Sequence, residues 1–291
     1  MSKGNKTLNI QYRFLSQKDF SALYETMTVA FADYLVSVQM TENQFENHIA
    51  QNAVNLELSV GAFFEDKLVG YTLNGFGNWK GRSTAYDAGT GVIPEYRRNG
   101  IGKAMFRFLL PKLKETRVKQ MLLEVIGNNE KAVNLYKNLG FKETRKLLFF
   151  NQTENIKLKP QNEIQIRRIE KPDWNYLKTF WDGNTSWQFS TESIDRKMNP
   201  KTFLGAYLNK KYVGYGVFCQ ESGTVSQLAV DKNLRRKNIA SLLLLQMQRM
   251  SKDNRELRFC NVDGNLGSLI KFLKAKNFKI TLSQIEMILP L

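Results

Sequence analysis

The chain has 291 residues, 42% of them hydrophobic, and a formal net charge of +16. That length suits one large domain or two ordinary ones, and that composition excludes a disordered or fibrous protein. No run of about 18 apolar residues occurs, so no membrane span is expected, and the opening MSKGNKTLNIQYRF has no apolar signal-peptide core. Cys219 and Cys260 fit neither a zinc spacing nor a disulfide framework, which points to a reduced, cytoplasmic setting and no metal. The single histidine, His48, lies in a polar run and is expected on the solvated surface, outside any chemistry. Lysine and arginine are dispersed, so the charge reads as a solvated surface that helps draw in a polyanionic ligand; nucleic acid is not expected as a partner.

In chain order, residues 1–8 are polar and expected to be disordered. Ile10, Tyr12 and Phe14 alternate as a strand, and Ser16 and Asp19 offer caps for a helix through Phe31. Thr41 opens a second helix with a capping-box pattern. A strand over 58–64 turns at Glu65–Lys67 into a second over 68–73. The glycine- and aromatic-rich stretch 74–81 reads as a flexible loop carrying recognition groups. The next strand, 84–92, carries Gly89 and Gly91 near its end, where a bulge or a close ligand approach is expected. A helix then starts near Ala104, with Pro111 expected to kink or shorten it. QMLLEVI (120–126) is a buried strand, 130–139 a short helix closed by Gly140, and 141–150 the last strand of this half. Polar residues 151–163 form a linker.

Between the fourth strand and its helix lies GVIPEYRRNGIGK, Gly91 to Lys103. A glycine turn feeding a helix leaves several backbone N–H groups unpaired at the positive end of the helix dipole, a seat for phosphate. Gly100 and Gly102 let a ligand approach the backbone, and Arg97 and Arg98 add charge. Ala104 after Lys103 excludes a P-loop, and no G-x-G-x-x-G follows a strand.

This stretch resembles the acyl-CoA-binding motif of the GNAT superfamily of N-acetyltransferases, Arg/Gln-x-x-Gly-x-Gly/Ala, with Arg97, Gly100 and Gly102 in its slots. Asn129 and Tyr136, in the segment from Leu123 to Phe141, resemble the second hallmark of that family, and seven residues of spacing put them on one helix face. The resemblance implies acetyl-CoA as cosubstrate, held by Val92, Ile93, Arg97, Arg98, Asn99, Gly100, Ile101, Gly102, Lys103, Asn129 and Tyr136. It implies Val92 N–H as oxyanion donor and Tyr136 near the thioester sulfur as proton source. Asp87 and Glu124 are the candidate carboxylates for deprotonating the amine. Asp87 lies five residues before Val92, which in an ideal strand puts the two on opposite faces, unless a bulge at Gly89–Gly91 re-aims it. Phe31, Tyr34, Phe76 and Trp79 are candidate substrate-pocket residues, and Asp33 could attract a cationic substrate.

The pattern then restarts. Gly70 and Gly214 lie 144 residues apart, Arg97 and Arg235 138, and Phe141 and Phe278 137, a spacing that indicates a repeat. The expected fold is α/β with a mixed α+β sheet: two tandem GNAT-like domains, each a mixed, largely antiparallel sheet flanked by helices. They are an active acetyl-CoA-binding domain over 9–150 and a degenerate one over 164–291, in which Asn238 replaces Gly100 and Leu273 or Phe272 replaces Tyr136. The expected function is acetyl transfer to a primary amine of a small molecule or peptide by a monomer or homodimer. Rival readings are a non-catalytic acyl-CoA-binding or sensing protein and a nucleic-acid-associated basic protein.

Overall fold

The computed structural model describes residues 8–33, 39–158, 163–196 and 200–291. The expected disorder of the first residues falls, for Met1–Thr7, outside the described residues, as do Tyr34 and positions 159–162 of the expected linker. The chain divides into two units. The first takes the chain up to Val125 together with Asn129–Glu143 and Met287–Leu291; the second comprises Ile126–Asn128 and Thr144–Glu286.

In the first unit, β1 (Ile10–Phe14) ends at a capping box in which Ser16 and Asp19 exchange bonds, and α1 (Phe20–Ala30) follows. α2 (Glu42–Gln51) starts at Thr41, whose hydroxyl accepts from the Gln44 N–H while the Gln44 side chain accepts from the Thr41 N–H. β2 (Val60–Phe64), β3 (Lys67–Trp79) and β4 (Arg82–Val92) form an antiparallel meander with β1. The stretch read as a flexible loop is thus strand. β3 runs to Trp79, and the hairpin closes on Lys80 and Gly81, both at positive φ (51° and 80°), the turn that matches strand twist.

After β4 come α3 (Ile101–Glu115), β5 (Gln120–Ile126) and α4 (Glu130–Asn138). Pro111 does not shorten α3, which continues through it to Glu115. The proline removes one backbone bond near the C-terminal end, while Met105, Phe106, Leu109 and Leu113, each 0% exposed, bind the helix to the core. Burial of each such side chain contributes about 1.5–3 kcal/mol, enough to offset the loss.

The segment after α2 is clamped to β3. Asn55 N–H donates to Asn74 O (2.9 Å), Phe76 N–H to Ala53 O (3.1 Å), and Val54 bridges Gly75. A Cβ on Gly75 would stand 2.0 Å from the Asn52 carbonyl oxygen, a backbone atom that cannot swing away. Gly75→Ala is expected to cost about 3 kcal/mol, read as a lower urea midpoint at unchanged m.

The second unit contains β6 (Lys142–Gln152, from Thr144 on), β7 (Ile164–Arg168), α5 (Trp174–Leu177), α6 (Thr191–Arg196), β8 (Lys201–Leu208), β9 (Lys211–Cys219) and β10 (Thr224–Val230). α7 (Ile239–Met250), β11 (Arg258–Asp263), α8 (Gly267–Ala275) and β12 (Phe278–Pro290, up to Glu286) complete it. α5 runs on into a 3₁₀ turn that ends at Phe180. β7 to β10 repeat the antiparallel meander of β1 to β4, and β10 pairs with β11 in parallel as β4 does with β5. β6, read from the sequence as closing the first half, pairs antiparallel with β11 in the second unit. Leu243, Leu244, Met247 and Phe218 lie at the centre of this unit's core.

Candidate active site

β4 and β5 pair in parallel through Thr84↔Gln120, Ala85↔Met121 and Tyr86↔Leu122, where the register ends among the described residues. The upper half of β4, Asp87 to Val92, is therefore paired only on its β3 side. Ile93 N–H donates to Val69 O (3.0 Å) toward β3. N–H groups alternate between edges along an antiparallel strand, so the Val92 N–H faces the open edge.

The β3–β4 ladder carries a bulge. Leu73 faces Gly89, the next residue Asn74 faces Asp87, and Ala88 is the extra residue. The slip falls at Ala88, just before the glycines where it was expected, and it reverses the parity of Asp87. Asp87 now shares a face with Thr90 and Val92, and the Thr90 hydroxyl donates to the Asp87 carboxylate (3.0 and 2.9 Å). Gly89 N–H donates to Oδ1 (3.0 Å), and the Tyr136 hydroxyl donates to Oδ2 (3.4 Å). Burial pushes the Asp87 carboxyl up to about 6, against the opposing pull of these bonds. Tyr136 is held by edge-on contacts with Phe106 and Phe141, ring centroids 5.6 and 5.7 Å away.

Glu124 is elsewhere. Tyr86↔Leu122 pairing and strand parity put Tyr86, Leu122 and Glu124 on the face opposite Asp87, where the Tyr86 hydroxyl donates to Glu124 Oε2 (3.2 Å). Phe31 packs on that face farther along β4, its ring 3.2 Å from the Cβ position of Gly91. Phe76 faces Ala85, two pairs below Asp87, whereas Trp79 is buried at the hairpin end. It sits about 17 Å along the strand from Asn74 at 3.4 Å per residue, so it packs the hairpin and lines no pocket with the others.

The turn takes its shape from Arg98 and Gly100 at φ 67° and 73°. The Asn99 side chain closes it on the carbonyls of Tyr96 and Arg97 (3.1 and 3.2 Å). A Cβ on Gly100 would meet nothing within 4 Å, so the space above the turn is open, and one on Gly102 would touch only Leu135 at 3.4 Å. Ile93 and Ile101 are buried and contribute packing, while Lys103 is half-buried in the first turn of α3. Arg97 is committed inside the fold. Its Nε donates to Val92 O (3.0 Å), Nη2 to Ala30 O (2.8 Å), and its guanidinium clasps Asp33 at 2.6 and 2.7 Å. The side chain expected on phosphate thus braces the end of β4 against α1, and the carboxylate of Asp33 serves Arg97. Asn129 caps α4, its Oδ1 accepting from Ala132 N–H (3.2 Å).

His48 is not a solvated surface residue. Its Nε2 lies 2.8 Å from the Ala88 carbonyl, and burial lowers its pKa. Only a long-range contact reveals this, since the residue is surrounded in sequence by polar neighbours.

The second unit repeats the turn closely. Arg236 and Asn238 take φ 66° and 59°, and Arg235 bonds Val230 O, Phe180 O and Asp182 as Arg97 bonds its partners. A cleft of about 640 Å³ lies against it, lined by Tyr215, Val225, Asn238 and Ile239 among others. The β9–β10 ladder slips at Ser226, the position matching Ala88, so Val225 occupies the register of Asp87. α8 has nine residues like α4, and its seventh, Leu273, takes the place of Tyr136. Gln227 stands where Gly89 does, tied to the Tyr215 hydroxyl (2.7 Å) and Phe189 O (2.8 Å).

Two models of the same family match the sequence, the acetyltransferase (GNAT) family over residues 21–141 and the acetyltransferase (GNAT) domain over residues 177–266. The chain belongs to the GNAT acetyltransferase family. Its GNAT domains stand in tandem, and the same architecture recurs in a tandem GNAT protein of the clavulanic acid biosynthesis pathway. That structure has a TM-score of 0.75 and 13% identity, with 97% of this chain and 98% of the other covered. A putative acetyltransferase from Pyrococcus horikoshii superposes with a TM-score of 0.70 and 17% identity over 100% and 92% of the two chains. In sequence, this GNAT chain is 37% identical over 99 residues to an N-alpha-acetyltransferase of Sulfurisphaera tokodaii, covering 30% of this chain and 59% of the relative. It is 40% identical over 52 residues to the [Ribosomal protein bS18]-alanine N-acetyltransferase of Escherichia coli, covering 18% and 35%. The matches thus span 59% or less of these curated relatives. Among the described residues no helix is long and apolar enough to cross a membrane.

Proposed function

We propose that the first unit transfers an acetyl group from acetyl-CoA to a primary amine by direct attack on the thioester. The observation that carries this reading is the bulge at Ala88, which sets Asp87 on the Val92 face with its carboxylate 3.4 Å from the Tyr136 hydroxyl. The open space over Gly100 and the edge of β4 left by β5 suit a phosphate and an extended amide-bearing arm. Acetyl-CoA supplies the activated carbonyl and a thiolate leaving group. Val92 N–H donates to the oxygen that gains charge as the amine attacks. Asp87, through water, takes a proton from the incoming ammonium. Tyr136 gives its proton to the departing sulfur and regains one from Asp87, which then takes the second proton from the nitrogen of the tetrahedral intermediate and releases it to solvent. The relatives named an N-alpha-acetyltransferase and a ribosomal-protein alanine N-acetyltransferase make peptide α-amines the first acceptor class to test.

The second unit, in this reading, performs no transfer. Val225 and Leu273 replace the proton-handling pair, and Gln227 fills the space that Gly89 leaves open. The deciding experiment is an acetyl-CoA turnover screen over peptide N-termini, lysine peptides and small amines, with Asp87→Asn as control. CoA binding without turnover of any amine would favour a sensing protein. Gly100→Asn adds a further check. Asn238 already holds the same turn at φ 59°, so the variant should fold with a loss of about 1 kcal/mol or less. Its side chain should still weaken acetyl-CoA binding about tenfold in calorimetry by occupying the phosphate seat.

A further inference from the structure

Ala88 is the extra residue of the β3–β4 bulge, and a bulged residue drops out of the ladder. Its carbonyl meets His48 of α2 instead, at 2.8 Å from Nε2. A carbonyl can only accept, so the hydrogen is on Nε2, and Nδ1 accepts from Asn52 Nδ2 (3.2 Å). That amide also donates to the His48 carbonyl (2.9 Å), which fixes the ring on its own helix. The residues after Asn52 are tied to β3 at Asn74 and Phe76, the level at which the ladder slips. Neutral imidazole is the form that satisfies both contacts, and burial favours it.

We infer that His48 is a positioning residue: by taking up the Ala88 carbonyl it holds the bulge that turns Asp87 toward Tyr136. The inference rests on the reading of Asp87 and Tyr136 as the proton-handling pair. A strand slipped by one residue presents its side chains to the other face. Without the His48 donor, the ladder regains bonding by absorbing Ala88, and Asp87 rotates away from Thr90 and Tyr136. The ionisable groups near Asp87 are Tyr136 from α4 and Tyr71 from β3, whose own pKa is pushed up by burial and by the Asp87 charge.

The test uses full-length His48→Ala, His48→Phe and His48→Gln beside wild type and Asp87→Asn. The kinetic readouts are kcat and the KM for acetyl-CoA between pH 5 and 8. A carboxyl ¹³C titration of Asp87, assigned by its loss in Asp87→Asn, reads the geometry without any turnover. His48→Ala should lower kcat about 10-fold or more with KM changed less than about twofold. The Asp87 midpoint should move away from about 6, because the bonds from Thr90 and Tyr136 that help set it are lost. His48→Gln, whose amide can donate to Ala88, should restore kcat to within about threefold. His48→Phe fills the ring volume without the donor and decides the matter if the alanine variant does not fold. Wild-type kcat and an unmoved Asp87 midpoint in the donor-less variants would overturn the proposal. A moved midpoint with normal turnover in Asp87→Asn would instead overturn the role given to Asp87 and leave the positioning by His48 standing.

Discussion

Asp87→Asn is expected to lower turnover about 100-fold while raising stability at pH 7 by about 2 kcal/mol. The two effects have one origin. Asp87 is 7% exposed, and burial lifts its carboxyl to about 6. A pKa in that range lets it accept a proton near neutral pH, which a surface aspartate does poorly. It also means that the native state binds the proton more tightly than the unfolded chain does. The stability due to that proton is present in full below about pH 4 and is lost as pH rises through about 6. At pH 7 the buried carboxylate is therefore a cost, about 3 kcal/mol for a gap of two pH units at 1.36 kcal/mol each. Asparagine removes most of it while keeping an oxygen for Thr90 and the Gly89 N–H. Urea melts of wild type and variant should diverge between pH 4 and 7, the variant gaining as pH rises. The acid limb of kcat/KM near pH 6 should vanish in the variant. Equal turnover in the two proteins would remove Asp87 from the chemistry.

Tyr136→Phe is expected to lower kcat about 100-fold while acetyl-CoA affinity changes less than about threefold. The ring contacts with Phe106 and Phe141 survive this change, so the fold should too. The hydroxyl is also one of the groups that hold the Asp87 carboxyl down. Its loss should move the acid limb of whatever activity remains to higher pH, a shift that a simple loss of packing would not produce. Unchanged kcat would exclude Tyr136 as the proton source.

The sequence makes the tandem architecture legible because each copy is marked by local signals, among them the alternation around Tyr12, the capping box at Thr41 and the glycine turn at Gly100. Those signals depend on neighbours in the chain. What escapes is set by distant partners. The expected loop at 74–81 is strand because β4 lies alongside it, and Pro111 stays within a helix because four residues of that helix are fully buried. Arg97 in a glycine turn suggests phosphate, but Asp33 and the Ala30 carbonyl, more than 60 residues away, engage it first. Parity alone separates Asp87 from Val92; Gly89 and Gly91 signal a bulge nearby, but that the slip falls at Ala88 and so reunites the two is set by pairing with β3. His48 is the same case in its strongest form, since polar neighbours conceal a contact 40 residues away.

The assignment of Met287–Leu291 to the first unit bears on how the protein is made. The Leu291 N–H donates to the Lys119 carbonyl (3.0 Å), closing a loop that runs through every residue of the second unit. On the ribosome, the unit whose first strand is synthesised earliest still lacks these five residues when the second unit has nearly all of its own. Vectorial synthesis therefore cannot complete the two units in the order in which they are encoded. The first unit waits, with this segment missing, until residues 287–291 have been made, and loop closure over such a span is among the slower steps available to a folding chain. Synthesis of residues 287–291, rather than of residue 143, sets the moment at which the first unit can become whole.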